Sequence, residues 1–235
     1  MRKMNNWKKI WNKDYRINKI ILDCLIKADG FDSPSGKFDV EDWIQYCDEF
    51  YSKIGISKDD TIFEIGCGSG AFLYPLYLRK NLVGGIDYSI NLLDLARKFM
   101  PESKLTCEDA VTLKLDNSYD VVLSHSVFQY FHNLNQAEMV LKTMNRLAKK
   151  KIAILDVNDV KKFDHFHTER IKQFVEEGFS EEDYKKKYLG LDHLFYSKKW
   201  FEELGQKLDL ETEIFDQTND SYGNSKLRFN VIFTK

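Results

Sequence analysis

Long apolar runs are missing from this chain. None approaches the roughly 18–20 consecutive residues that cross a bilayer, so the reading is no membrane span. The basic stretch Met1–Trp11 lacks the apolar core of a signal peptide. Charge of one sign is missing as well. A net charge of −2 over 235 residues gives no global pull toward nucleic acid or an anionic surface, and no nucleic acid partner is expected. The short basic clusters at 149–151, 161–162 and 185–187 read as solvated helix ends and faces. Cysteine is sparse and scattered: Cys24, Cys47, Cys67 and Cys107 form no Cys-x-x-Cys pair. That excludes a disulfide framework and suits reduced thiols in the cytoplasm. Five scattered histidines supply no ligand spacing, so no metal site is expected. Repeats and low-complexity linkers are absent, which leaves one α/β domain with appended segments as the simplest organisation.

Against these absences stands the run Thr61-Ile62-Phe63-Glu64-Ile65-Gly66-Cys67-Gly68-Ser69-Gly70. A β-favouring segment feeds a loop with glycines at 66, 68 and 70, and an apolar helical stretch follows. Such a turn brings backbone N–H groups close to a ligand, and the reading takes them to be bare. Glu64 places a carboxylate at the strand tip, and Asp87 follows 21 residues after Gly66 at the end of Val83–Asp87. An acid at that spacing suits the hydroxyls of a ribose in a βαβ nucleoside site.

Around this loop, strands and helices alternate. Strands are predicted at Thr61–Ile65 (β1), Leu82–Ile86 (β2), Lys104–Cys107 (β3), Tyr119–Ser124 (β4) and Ile152–Val157 (β5). Helices are predicted at Val40–Ile54, Ala71–Leu78, Ile90–Phe99 and Gln136–Lys149, with Pro75 forcing a late start or kink in the second. Unalternating apolar strands between helices mean a doubly wound parallel sheet. Residues 1–38 read as an N-terminal helical arm or lid, and 39–235 as the main domain. Residues 158–196 read as a cap inserted after β5, with a capping box at Ser180–Asp183. A helix at Ser197–Leu208 and two further strands, Leu210–Asp216 (β6) and Leu227–Thr234 (β7), complete the chain.

The loop Glu64-x-Gly66-x-Gly68-x-Gly70, the acid Asp87, the pair Asp109-Ala110 after β3 and the C-terminal strand pair resemble the class I S-adenosylmethionine-dependent methyltransferases. Within that family the chain looks most like the small-molecule group of types 11, 12 and 25. The resemblance implies a Rossmann-like α/β fold: a seven-stranded doubly wound sheet ending in an antiparallel β6/β7 hairpin. It implies S-adenosyl-L-methionine as cofactor, with S-adenosyl-L-homocysteine as product. Gly66, Cys67, Gly68, Ser69 and Gly70 would wrap the methionine part, while Glu64 steadies the loop or meets the amino group. Asp87 would take the ribose hydroxyls, Tyr88 and Ser89 flank the adenine, and Asp109 read its amine between Glu108 and Ala110. Ser124, His125 and Ser126, at the tip of β4, would lie near the sulfonium and the substrate.

Methyl transfer is an in-line displacement, so positioning does most of the work and no protein nucleophile is needed. A hydroxyl acceptor calls for a base, and His193 and His125 are the catalytic candidates. Tyr15, Phe31, Gln129, Tyr130, Tyr196, Tyr222, Arg228 and Asn230 are candidates for the acceptor pocket. The pattern from Tyr222 to Asn230 also resembles bacterial small-molecule methyltransferases found with surface-polysaccharide genes. The expected acceptor is therefore a small-molecule hydroxyl, with N- or C-methylation as the alternative. The Asn/Asp-Pro-Pro-aromatic signature of amide and base methylation is absent after β4, where Ser124-His125-Ser126-Val127 stands. Gly66-x-Gly68-x-x-Ala71 also fits a loose dinucleotide fingerprint, which keeps an NAD-dependent oxidoreductase open beside a non-catalytic cofactor-binding scaffold. A homodimer is compatible with the sequence.

Overall fold

A computed structural model describes residues 21–31 and 38–235. Tyr15 and most of the proposed arm lie outside them. The arm's described part is helix α1 (Ile21–Ala28), followed by α2 (Val40–Ile54). Asp39 caps α2 by accepting from the Asp42 N–H, and Gly55 closes it in the left-handed conformation (φ 78°).

Next come β1 (Thr61–Ile65), α3 (Tyr74–Leu78), β2 (Leu82–Asp87), α4 (Ile90–Phe99), β3 (Lys104–Cys107) and β4 (Tyr119–His125). Then follow α5 (Leu134–Leu147), β5 (Ala148–Asn158), α6 (Phe163–Glu176), α7 (Glu181–Lys187), α8 (Lys198–Lys207), β6 (Glu211–Asp216) and β7 (Arg228–Thr234). Helix α3 starts three residues later than expected because Pro75 is tolerated only in a first turn. The α5/β5 boundary is the larger correction. Lys149, expected in the helix, lies in β5, which begins at Ala148.

The seven strands order as β3-β2-β1-β4-β5-β7-β6. β1 to β5 pair in parallel, and β7 runs antiparallel between β5 and β6. Successive strand residues point to opposite faces, so each strand feeds two cores. Ile62, Val121, Ala153, Leu155 and Ile232 join α1, α2 and α4 on one face. Phe63, Val122, Ile152, Ile154, Val231 and Phe233 join α5 and α8 on the other. At the sheet's N-terminal edge Asp120 accepts from the Thr61 N–H (2.9 Å) and hydroxyl (2.7 Å). Lys150 reaches both Asp60 (2.6 Å) and Asp120 (3.2 Å), tying β5 to the starts of β1 and β4.

The ladder between β5 and β7 shifts register between Ile154 and Val157. Asp156 sits in that irregularity with φ 59° and no exposed surface. Residues 158–196 form α6 and α7, packed through Phe174, Tyr184 and Tyr188. The capping box at Ser180 and Asp183 opens α7. The segment returns to the sheet where Asp159 bridges Tyr196. No helix among the described residues is long and apolar enough to cross a membrane.

Candidate active site

At the C-terminal ends of β1, β2 and β4 lies a cavity of about 720 Å³, within the range of small-molecule sites. Its walls bring together Glu64, Gly66, Cys67, Gly68, Asp87, Tyr88, Glu108, Asp109, Ala110, His125, Tyr130 and Phe31, residues spread over 100 positions of sequence. Ser126, expected there with His125, lines it too, as do Asp29, Trp43, Phe72, Val127, His132 and Gln136, which the motifs did not mark.

The glycine loop differs from expectation in one physical respect. Its N–H groups are not bare. Those of Gly66 and Cys67 donate to Ile86 O, and that of Gly70 to Cys67 O. Gly68 N donates to Asp87 Oδ2 (2.9 Å) and Ser69 N to Asp29 Oδ1 (2.7 Å). Every loop donor is therefore engaged inside the protein, and the surface left to a ligand is carboxylate. Glu64 makes no hydrogen bond to the loop; it is 2% exposed and its Oε2 has no partner. Burial raises the Glu64 carboxyl well above its usual range, with Asp29 and Asp87 adding like charge. Burial likewise lifts Asp87, against hydrogen bonds from Ser89, Gly68 and Tyr88 that pull it down. Gly66 (φ 77°) and Gly68 (φ 51°) must be glycine for a second reason. A Cβ would meet the Val127 side chain at Gly66 and the Asp29 carboxylate at Gly68.

Such a site repels a pyrophosphate and suits a cation. That weighs against a dinucleotide and fits S-adenosylmethionine, whose sulfur and amino group are both positive. Asp87 fits the ribose role, since each oxygen keeps accepting capacity beyond its backbone bond. Asp109 Oδ1 accepts from Val111 N (3.0 Å), holding the carboxyl at the cavity wall.

Four cofactor candidates face elsewhere. Ser69 Oγ donates to Leu25 O (2.9 Å), docking the loop to α1. Gly70 packs toward Met100, and Ser89 caps α4 through the Leu92 N–H. Ser124 Oγ donates to Ile65 O (2.9 Å) as a strand-end bond.

Of the catalytic candidates, His125 lines the cavity and His193 does not. The His193 ring lies tilted against Tyr130 (5.4 Å) and edge-on to Phe166 (5.6 Å). Burial pushes its pKa well down, helped by Arg170, Arg228 and His167. His125 is stacked on Phe72 (4.6 Å) and flanked by Phe31 and Trp43. Burial pushes it down to about 4, so the ring is neutral at pH 7. Its Nε2 lies 2.8 Å from the Tyr46 hydroxyl, which also accepts from Gln217 Nε2 (3.4 Å). The tautomer of the ring sets which of the two groups donates in this bond. A ring with so low a pKa is a weak base. Tyr46 was missed because its partner is 79 residues away and its helical spacing reads as core.

The acceptor candidates divide the same way. Phe31 and Tyr130 line the cavity. Gln129 donates to Ser126 Oγ (2.8 Å), and the Tyr196 hydroxyl donates to Phe128 O within the core. Tyr222 donates to Asp156 Oδ2 (3.1 Å), while Asn230 accepts from the Asp156 N–H (2.9 Å). Arg228 bonds Asn158, pairs through Nε with Asp156 Oδ1 at 3.6 Å and lies over Phe166. These last three form a buried polar cluster around the irregularity in β5 and do not line the cavity.

Comparison with known proteins agrees with this geometry. Residues 63–154 match a family model described as a methyltransferase domain. A malonyl-[acyl-carrier protein] O-methyltransferase from Priestia megaterium is 32% identical over 84 residues, 34% of this chain and 30% of its own length. A trans-aconitate 2-methyltransferase from Rhizobium rhizogenes is 26% identical over 87 residues, 36% of this chain and 34% of its own. The chain thus spans about a third of the length of these curated relatives. The N-methyltransferase NodS from Bradyrhizobium japonicum, solved with S-adenosylhomocysteine, superposes with a TM-score of 0.58 at 13% identity. That match covers 92% of this chain and 98% of NodS, and shows the shared fold. With its sheet order, its acidic glycine loop and a methyltransferase domain matched over residues 63–154, the chain is similar to the class I S-adenosylmethionine-dependent methyltransferases.

Proposed function

We propose that this protein transfers a methyl group from S-adenosylmethionine to a carboxylate oxygen of a small molecule, forming a methyl ester. The cofactor supplies a methyl group on a positively charged sulfur. Glu64, Asp87 and Asp109 hold its charged and hydroxyl-bearing parts along one wall. Phe31, Trp43 and Phe72 exclude water around His125. Holding acceptor and methyl in line can contribute about 7–11 kcal/mol to lowering the barrier.

One observation carries the choice of acceptor: His125, the buried histidine of the cavity wall, is held by Tyr46 and has a pKa of about 4. A hydroxyl must lose a proton to react, and a base this weak takes it poorly. A carboxylate is already anionic at neutral pH and needs only to be held. His125 would hold it by donating a hydrogen bond. The relatives' names support an oxygen acceptor, since malonyl and aconitate groups both carry carboxylates.

The test is a turnover assay with small di- and tricarboxylates beside sugars and simple alcohols. Ester formation with a rate flat from pH 6 to 8 at saturating cofactor is expected. Turnover confined to alcohols, rising with pH through one ionisation, would sink the carboxylate reading. The hydroxyl reading keeps one supporting observation, the imidazole placed on the cavity wall beside β4.

A further inference from the structure

Asp29 belongs to no motif, yet it occupies the middle of the glycine loop. The turn after α1 delivers it: its N–H donates to Leu25 O (3.0 Å) and Gly30 follows in the left-handed region. Oδ1 accepts from Ser69 N (2.7 Å) and Oδ2 from Ala71 N (3.3 Å). A second tie, from Ser69 Oγ to Leu25 O, seats the same turn. The carboxylate lines the cavity beside Glu64, whose buried Oε2 has no partner.

The titratable groups acting on this pair come from three elements: Asp29 itself from α1, Glu64 from β1 and Asp87 from β2. Among the described residues that shift either carboxyl, none is cationic. Buried acids without a counter-charge keep their protons, and a cationic ligand is what would hold them ionised. The ligand must donate several hydrogen bonds and carry positive charge, because the loop's own donors are already engaged.

We propose that Asp29, with Glu64, forms a clamp for the ammonium group at the amino-acid end of the cofactor, so that α1 contributes a cofactor-specificity residue. The proposal rests on S-adenosylmethionine being the cofactor. Three N–H donors on one nitrogen match two carboxylates that converge from different elements. Burial, against hydrogen bonds from Ser69, raises Asp29 to about 7 without a ligand. A bound ammonium would hold it ionised, so affinity rises as pH climbs through 7.

Calorimetric titration with S-adenosylhomocysteine and with 5′-methylthioadenosine tests this, since the second has the same nucleoside and thioether but no amino-acid end. Asp29→Asn keeps an oxygen for the Ser69 N–H and removes the charge. It should weaken S-adenosylhomocysteine about tenfold or more while changing methylthioadenosine less than twofold. The wild type should bind the homocysteine ligand more tightly at pH 8 than at pH 6, and Asp29→Asn should flatten that rise. Glu64→Gln should show the same ligand selectivity, which guards against a variant that folds poorly. Equal losses for both ligands would make Asp29 a brace of the loop and overturn the clamp, as would no loss for either. Binding of neither ligand by the wild type would instead overturn the cofactor itself, and the clamp with it.

Discussion

Asp87 holds both the loop and, in this reading, the ribose. Its oxygens accept from Gly68 N and Ser89 N, and the carboxyl still faces the cavity. Asp87→Ala removes two charge-assisted bonds to a ligand, each contributing about 1.5–3 kcal/mol. A loss of about a hundredfold or more in S-adenosylhomocysteine affinity is expected by calorimetry, and unchanged affinity would exclude the role. Tyr46 acts through another residue. Tyr46→Phe leaves His125 Nε2 without its hydrogen-bond partner and frees the ring to change tautomer. Turnover should fall about tenfold while cofactor affinity stays within twofold, at a stability cost of about 1–3 kcal/mol. A merely structural Tyr46 would lower stability and leave the pH–rate profile unchanged, whereas a tautomer lock predicts a new pH dependence.

Elements were legible wherever a local signal punctuated them. β1 runs into a glycine loop, α4 is capped by Ser89 and followed by Pro101, and α2 closes on Gly55. Those signals act within a few residues, so one sequence carries them. The start of β5 was hidden because Lys149 and Lys150 are exposed on a strand whose pairing with Tyr119 and Val121 is tertiary. The site divides on the same line. Glu64, Gly66 and Asp87 share one βαβ unit and announce themselves, whereas Asp29 meets Ser69 across 40 residues. Only the fold brings that pair together. The cap shows how far a local signal reaches. Ser180 and Asp183 bond reciprocally at the start of α7, and Tyr184 and Tyr188 carry that helix onto Phe174 of α6. Ser180→Ala should cost about 1 kcal/mol locally. Faster amide exchange over 180–188 with an unchanged sheet is expected; uniform acceleration across β1 to β5 would mean that the cap and sheet unfold as one unit.

For the molecule as a whole, the buried acids and histidines oppose each other, and the window of pH decides which is seen. His125, held near 4 in the fold, and His193, also pushed down, are favoured neutral. Their contribution is present above about pH 6.5, the unfolded value, and is lost as pH falls toward 4. Asp120, held near 2 chiefly by Thr61, contributes above about pH 4 and fades only below that. Asp29 and Glu64 run the other way. A carboxyl raised in the fold contributes stability at low pH and loses it as pH rises through its folded value, about 7 for Asp29. Between pH 4 and 6.5 the two sets partly cancel. From 6.5 to 7.5 Asp120 is constant and the histidines complete the last part of their rise, so the larger fall from the raised acids sets the sign of the slope. Each group still protonated only in the fold removes up to about 1.4 kcal/mol per pH unit, and each kcal/mol is worth about 2–4 °C for a chain of this size. The ligand-free protein should therefore melt several degrees lower at pH 7.5 than at 6.5. Saturating S-adenosylhomocysteine supplies the missing cation and should flatten the fall, because its stabilisation grows as its affinity grows. A ligand-free melting temperature that is flat or rising across that interval would show that the acids carry a counter-charge of their own, and that the cavity is not waiting for a cation.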